Sequence, residues 1–225
     1  MEYKETYEKS WHAKVNTNEK FTDYERNLLL PEFFPESKDK VLDVAGGNGV
    51  VSQWLMSRGY DVSLLELDDA AIEEAKSRGI KNVTKMYFDG KVALPFESNT
   101  FDCIFFGDII EHLFDPESLL KEVGRVLKPS GRLVISCPNI AYWRFRMYYF
   151  LDGDLQRLDV AKFKPWEQEH IRFFNVKVLK EFLDLLHFQF VKVRGTNMAW
   201  HSKWLVKKWP NLFAHTIVSE FKNVK

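Results

Sequence analysis

Two hydrophobic periods alternate along the chain. Short apolar runs rich in β-branched and aromatic residues, at 41–45, 61–66, 82–87, 101–106, 132–136 and 188–194, read as buried strands. Between them apolar residues recur at helical spacing: Val51, Trp54 and Leu55, then Ile72 and Ala75, then Leu119, Leu120, Val123 and Leu127. Asp68 or Asp69 can cap the second of these helices. Asp115-Pro116-Glu117 starts the third with a cap, a first-turn proline and an acid at the positive dipole end. A further helix is expected over 176–186 and a last strand over 213–221. Strands alternating with helices predict an α/β, Rossmann-like doubly wound sheet of seven strands. No helix separates the final two strands, so the last is expected to run antiparallel.

The remaining stretches lack either period. Residues 1–38 scatter Tyr3, Tyr7, Trp11, Phe21 and Tyr24 among charges, as short helices across the mouth of the domain would. They are either a lid, with Tyr7, Trp11 or His12 against a ligand, or an arm that only packs. The aromatic-rich stretches 139–174 and 197–211 are expected as irregular cap insertions over the carboxyl edge of the sheet. No repeat or linker divides the 225 residues, which predicts a single domain.

Composition narrows the class. Thirty-two basic residues balance thirty-two acidic ones, which argues against a protein built to grip nucleic acid. Two cysteines give no disulfide framework and point to a reducing compartment. No signal-type or membrane-spanning apolar stretch is evident, so a cytoplasmic location is expected.

Ligands of open α/β sheets sit beyond the carboxyl ends of the strands. There the chain offers Asp43 with Ala45, Gly46, Gly47 and Gly49; Glu66 with Leu67; Phe88, Asp89 and Gly90; and Gly107, Asp108, Glu111 and His112. Glycines allow close backbone approach, and Glu66 follows at the interval typical of an acid gripping ribose hydroxyls. Asp89 is placed to accept from an adenine amino group. Asp43 would repel a phosphate and attract a sulfonium. These features together describe a pocket for an adenosine with a cationic tail. Gly47-Asn48-Gly49-Val50-Val51-Ser52 also approximates a dinucleotide fingerprint, but a pyrophosphate beside Asp43 is electrostatically awkward.

These residues resemble those of the class I S-adenosylmethionine-dependent methyltransferases, over 38–221. Val41 to Gly49 is similar to the family's first motif, with Ala45 in the first glycine's place. Glu66 matches the ribose-binding acid and Phe88-Asp89 the adenine-binding pair. Phe101-Asp102 and Arg125 to Gly131 match later signatures. Alanine at 45 is harmless unless that position needs a positive φ. Cys137 to Met147 and His170 to Phe174 further resemble the branch of methionine-biosynthesis W-type and surface-polysaccharide methyltransferases. That resemblance implies O-methylation of a small polar acceptor, sugar-like or nucleotide-linked, with Arg144, Arg146 and Arg172 as candidate phosphate ligands. The alternative, favoured for Arg144 and Arg146 but not for Arg172 beside His170, is that they snorkel from the cap or sit at a homodimer face.

Asp108, Glu111 and His112 stand at i, i+3 and i+4, so one helical turn would cluster them. The stretch is similar to Glu-x-x-Glu-His motifs implicated in divalent-metal binding in ubiquinone-biosynthesis O-methyltransferases and small-RNA 2′-O-methyltransferases. His170 is then a distant fourth ligand. His112 can act as a metal-free base, belong to a metal cluster (Mg²⁺ being the candidate ion), or be structural. Trp200 and Trp204, one turn apart among Lys203, Lys207 and Lys208, suit packing on the domain or peripheral membrane contact. A different class of protein, a cofactor-binding partner without catalysis, has to account for Asp43, Glu66, Asp89 and His112 all being present.

Overall fold

A computed structural model describes residues 19–87, 93–153, 170–196 and 203–225. Seven strands form one sheet: β1 (Lys40–Val44), β2 (Asp61–Glu66), β3 (Asn82–Lys85), β4 (Phe101–Gly107), β5 (Leu127–Pro138), β6 (Phe188–Gly195) and β7 (Thr216–Asn223). Their order is β3-β2-β1-β4-β5-β7-β6, and β7 runs antiparallel to both neighbours. Helices α1 (Val50–Ser57), α2 (Asp69–Ser77), α3 (Pro116–Val126) and α5 (Val176–Asp184) cover the sheet; α4 (Trp143–Asp152), α6 (Lys203–Lys208) and α7 (Pro210–Phe213) belong to its carboxyl edge.

Strand alternation divides the core in two. Leu42, Val44, Ile104 and Phe106 pack with Leu120, Val123, Leu179 and Leu183. Val41, Cys103 and Phe105 pack on the other face with Leu30, Phe33, Phe34, Val51 and Leu55. Both faces are covered, which is why β1 and β4 read as continuous apolar runs. Asp43 shares the face of Val41, so its side chain enters the α1 layer rather than the solvent.

Several boundaries differ from the periodicity. The stretch beginning at 139, expected as irregular, contains α4; its aromatic and charged residues are not segregated to opposite faces, so no amphipathic stripe marked it, and Gly153 in the left-handed region ends it. Stretch 197–211 likewise contains α6 and the first half of α7. Phe213 ends α7 behind Pro210 at its first turn, so β7 starts three residues later than expected, at Thr216. Lys128–Gly131 interrupts the pairing of β5 with β4 between Leu127 and Arg132, with Ser130 at φ 64°.

Candidate functional site

Three glycines and an alanine shape the loop between β1 and α1. A Cβ on Gly46 would stand 2.8 Å from both Asp43 Oδ2 and Leu64 Cδ1, so a side chain there forces those two groups to shift. Gly47 and Gly49 adopt φ of 56° and 79°. Ala45 is also left-handed, at φ 53°, so the condition under which alanine is costly is met. The family's glycine at this position answers a backbone need that alanine meets only under strain.

The Asp43 carboxylate lies beneath this loop. It is 1% exposed and accepts a 2.7 Å hydrogen bond from Ser52 Oγ of α1. Burial raises its pKa to about 6, opposed by the Ser52 hydrogen bond and by the charge of Arg26. Asp43 therefore ties the loop to α1 rather than forming cavity wall. Glu66 does reach the wall. Its Oε2 accepts from Gly47 N at 2.8 Å, and its Oε1 from Leu67 N and Asp68 N at 2.7 and 3.0 Å. A carboxylate has roughly four acceptor directions, so three amides aim it and leave one open. Burial nonetheless raises its pKa. Leu67 contributes its amide here.

The cavity above this loop has a volume of about 280 Å³. Ala45, Gly46, Gly47, Glu66, Gly107, Asp108 and His112 line it, joined by Glu19, Tyr24, Arg26 and Asn27 from the amino-terminal arm. The arm thus covers the mouth, but through residues no motif marked. Tyr7, Trp11 and His12 lie outside the described residues, as do Phe88, Asp89 and Gly90. Asn27 is fixed by donating from Nδ2 to Phe21 O at 2.9 Å, inside the 3-10 turns Phe21–Asp23 and Glu25–Glu32. Arg26 forms an ion pair with Asp108 across the cavity, and its guanidinium also stands against the Tyr24 ring, 5.1 Å from the centroid. Gly107 makes room for the Phe105 ring: a Cβ there would sit 2.9 Å from Phe105 Cε1. Burial, followed by the charge of Glu19, lifts the Tyr24 phenol to about 12, so it remains a neutral hydroxyl.

The expected grouping of Asp108, Glu111 and His112 on one helical turn does not form. Asp108 takes φ 55°, which breaks the helix before it begins; only Ile110–His112 coil, as a 3-10 turn. Asp108 instead accepts from Ser136 Oγ at 2.6 Å and pairs with Arg26. His170 takes its place. One ligating atom from each of Glu111, His112 and His170 lies within 4.8 Å of the others, and the two imidazoles meet edge to face at 4.7 Å. The cap is held there by Ile171 N and Arg172 N, both donating to Glu111 O at 3.1 Å. Arg172, proposed from sequence as a phosphate ligand, donates to the Leu113 and Phe114 carbonyls and clamps the cap to the 3-10 turn. Arg146 donates to Ala141 O at 2.8 Å.

A strand, a glycine loop and an acid on the next strand meet at one cavity, with an imidazole opposite them. The profile of methionine biosynthesis protein MetW matches residues 27–220, nearly the whole of the sheet and its helices. The chain belongs to the MetW family. Among curated proteins, this MetW-family chain is 31% identical over 169 residues to the ubiquinone/menaquinone biosynthesis C-methyltransferase UbiE of Desulfotalea psychrophila, covering 69% of this chain and 68% of that protein. The UbiE of Cereibacter sphaeroides is 27% identical over 199 residues, 80% of each chain. Among solved structures, an S-adenosylmethionine-dependent methyltransferase from Mesorhizobium loti superposes with a TM-score of 0.66 at 15% identity, over 90% of this chain and 99% of that one. A SAM-dependent methyltransferase from Aquifex aeolicus gives 0.60 at 19% identity, over 88% of both. This MetW-family chain is a class I S-adenosylmethionine-dependent methyltransferase.

Proposed function

We propose that the protein methylates an oxygen of a small polar acceptor, sugar-like or phosphate-bearing, of the kind used to build surface polysaccharides. The observation that supports this most is His112 on the wall of the donor cavity, with Glu111 and His170 against it. S-Adenosylmethionine supplies an electrophilic methyl group. Glu66 and the amides of the glycine loop suit its ribose, and Asp89, outside the described residues, is the sequence candidate for its adenine. The lining is rich in acids (Glu19, Glu66, Asp68, Asp108), which suits the cationic sulfonium and ammonium groups. Arg26, the guanidinium among the described lining residues, is the candidate partner for the methionine carboxylate. His112 takes the proton of the acceptor hydroxyl, with Glu111 and His170 orienting the ring. The rest of the rate comes from alignment of acceptor and methyl group.

Two further readings each have a specific support. The curated relatives are named as C-methyltransferases, which favours carbon as the accepting atom. The ligating atoms of Glu111, His112 and His170 are close enough to share an ion. Two imidazoles and one carboxylate fit a transition ion better than Mg²⁺, whose preferred ligands are oxygens. S-Adenosylhomocysteine release should be followed over nucleotide-linked sugars and hydroxylated aromatics, and the product identified by NMR. A methyl on oxygen is expected; a methyl on carbon overturns the assignment. His112→Ala should bind the donor normally and lose at least ~100-fold in kcat. Full turnover by that variant removes His112 as the base, and full turnover after exhaustive chelation removes the ion.

A further inference from the structure

Exposed large apolar side chains concentrate on the carboxyl edge of the sheet, around the site. On α4, Met147, Tyr148 and Tyr149 are exposed, Phe150 is 81% exposed and Leu151 68%. Across the same edge stand Ile171, Phe173, Trp204 (58% exposed) and Trp209. These segments are stitched into one surface. Asn139, just before α4, donates from Nδ2 to the carbonyls of Pro210, Asn211 and Ala214 at 3.3, 3.1 and 2.8 Å. Ile140 N donates to Phe174 O at 2.9 Å. Tyr142 and Phe145 pack edge-on against the His215 ring.

Cations outnumber acids on α4 and α6. Helix α4 carries Arg144 and Arg146 against one acid, Asp152, at its last position; residues 203–216 contain Lys203, Lys207 and Lys208 and no acid. The whole chain is neutral, so this edge concentrates positive charge. Lys208 Nζ sits 4.9 Å from the Trp204 ring and 4.6 Å from the Trp209 ring, and those rings meet edge to face at 5.6 Å. Tryptophan and tyrosine beside lysine and arginine, with aliphatic tips standing clear, is the chemistry of a lipid headgroup layer.

We propose that α4 and α6 seat the protein on an anionic bilayer surface, bringing the carboxyl edge of the sheet, and with it the donor cavity, to the interface. Among the described residues no helix is long and apolar enough to cross a membrane, so the contact is peripheral. A second copy of the chain fits this face poorly. A two-fold contact would oppose Arg144, Arg146 and three lysines with the same residues. An anionic lipid surface neutralises them and receives Phe150 and Leu151 among its acyl chains. The assignment rests on this surface alone and stands whichever atom accepts the methyl group.

The test is co-sedimentation of the full chain with vesicles of phosphatidylcholine, pure or carrying about a third phosphatidylglycerol. Partitioning should be at least ~10-fold stronger on the anionic vesicles and weaken as salt is raised. The triple variant Lys203→Glu, Lys207→Glu, Lys208→Glu should lose at least ~10-fold. Phe150→Asp with Leu151→Asp should lose binding that salt does not restore. Both variants should bind S-adenosylmethionine as the parent does, which shows that they fold. Equal partitioning on the two vesicles overturns the proposal. So does failure to sediment, or self-association in solution that the same variants abolish.

Discussion

Replacing Asp43 with asparagine keeps the shape of a side chain that is 1% exposed and removes its charge. The acceptor for Ser52 Oγ is kept as well. Burial raises the Asp43 pKa to about 6 from an ordinary 3.8, so the folded state binds this proton more tightly than the unfolded chain does. Stability from the group is therefore fully present below 3.8 and lost as pH rises through about 6. At about 1.4 kcal/mol per pH unit, the charged carboxylate costs the fold ~3 kcal/mol at neutral pH. The asparagine amide adds two buried donors whose partners are not guaranteed, a penalty of about 1–3 kcal/mol that does not vary with pH. The decisive quantity is thus the difference in slope. Between roughly pH 8 and pH 5 the cofactor-free wild type should gain ~1.4 kcal/mol on Asp43→Asn. Urea unfolding of both proteins at matched ionic strength measures it. Parallel curves would refute the reasoning, because a carboxylate that titrates normally gives no such divergence in this window. Glu66, also raised by burial, remains in both proteins and largely cancels.

Other outcomes follow from the same loop. Ala45→Gly removes a left-handed alanine worth about 1–2 kcal/mol, offset by ~0.4–1 kcal/mol of extra chain entropy. The variant should melt about 1–4 °C higher by calorimetry. Gly46→Ala forces a methyl against Asp43 and Leu64, both 2.8 Å away. It should cost about 1–3 kcal/mol in urea unfolding and remove donor binding in a calorimetric titration. Arg26→Gln removes the guanidinium from the cavity and leaves Asp108 without its ion-pair partner. Donor affinity should fall by about 10- to 100-fold with little change in kcat on saturation. An unchanged affinity would remove Arg26 from the carboxylate role.

The order of strands and helices was legible because each buried strand and each amphipathic helix leaves its own period in the chain. So was the donor loop: Gly46 is demanded by contacts within a few residues and one strand away, and Glu66 falls at a set interval along the same βαβ unit. The helix α4 was not legible, because its apolar residues leave no stripe. Neither was the fate of Asp108, since spacing assumes a continuous helix and a single left-handed residue removes that assumption.

By itself, then, the chain determined what is local in sequence: the sheet, the glycine loop, the acids at the strand ends and the nature of the donor. Tertiary structure decided which distant groups meet. It brought Arg26 across 82 positions to Asp108, sent Asp43 beneath the loop instead of into the cavity, and set His170 of the cap beside Glu111 and His112. It also gathered five cations and the exposed aromatics of two separate helices onto one edge. Periodicity reports which face of an element is buried. Which elements then share an edge depends on how the layers pack, and no local pattern records that.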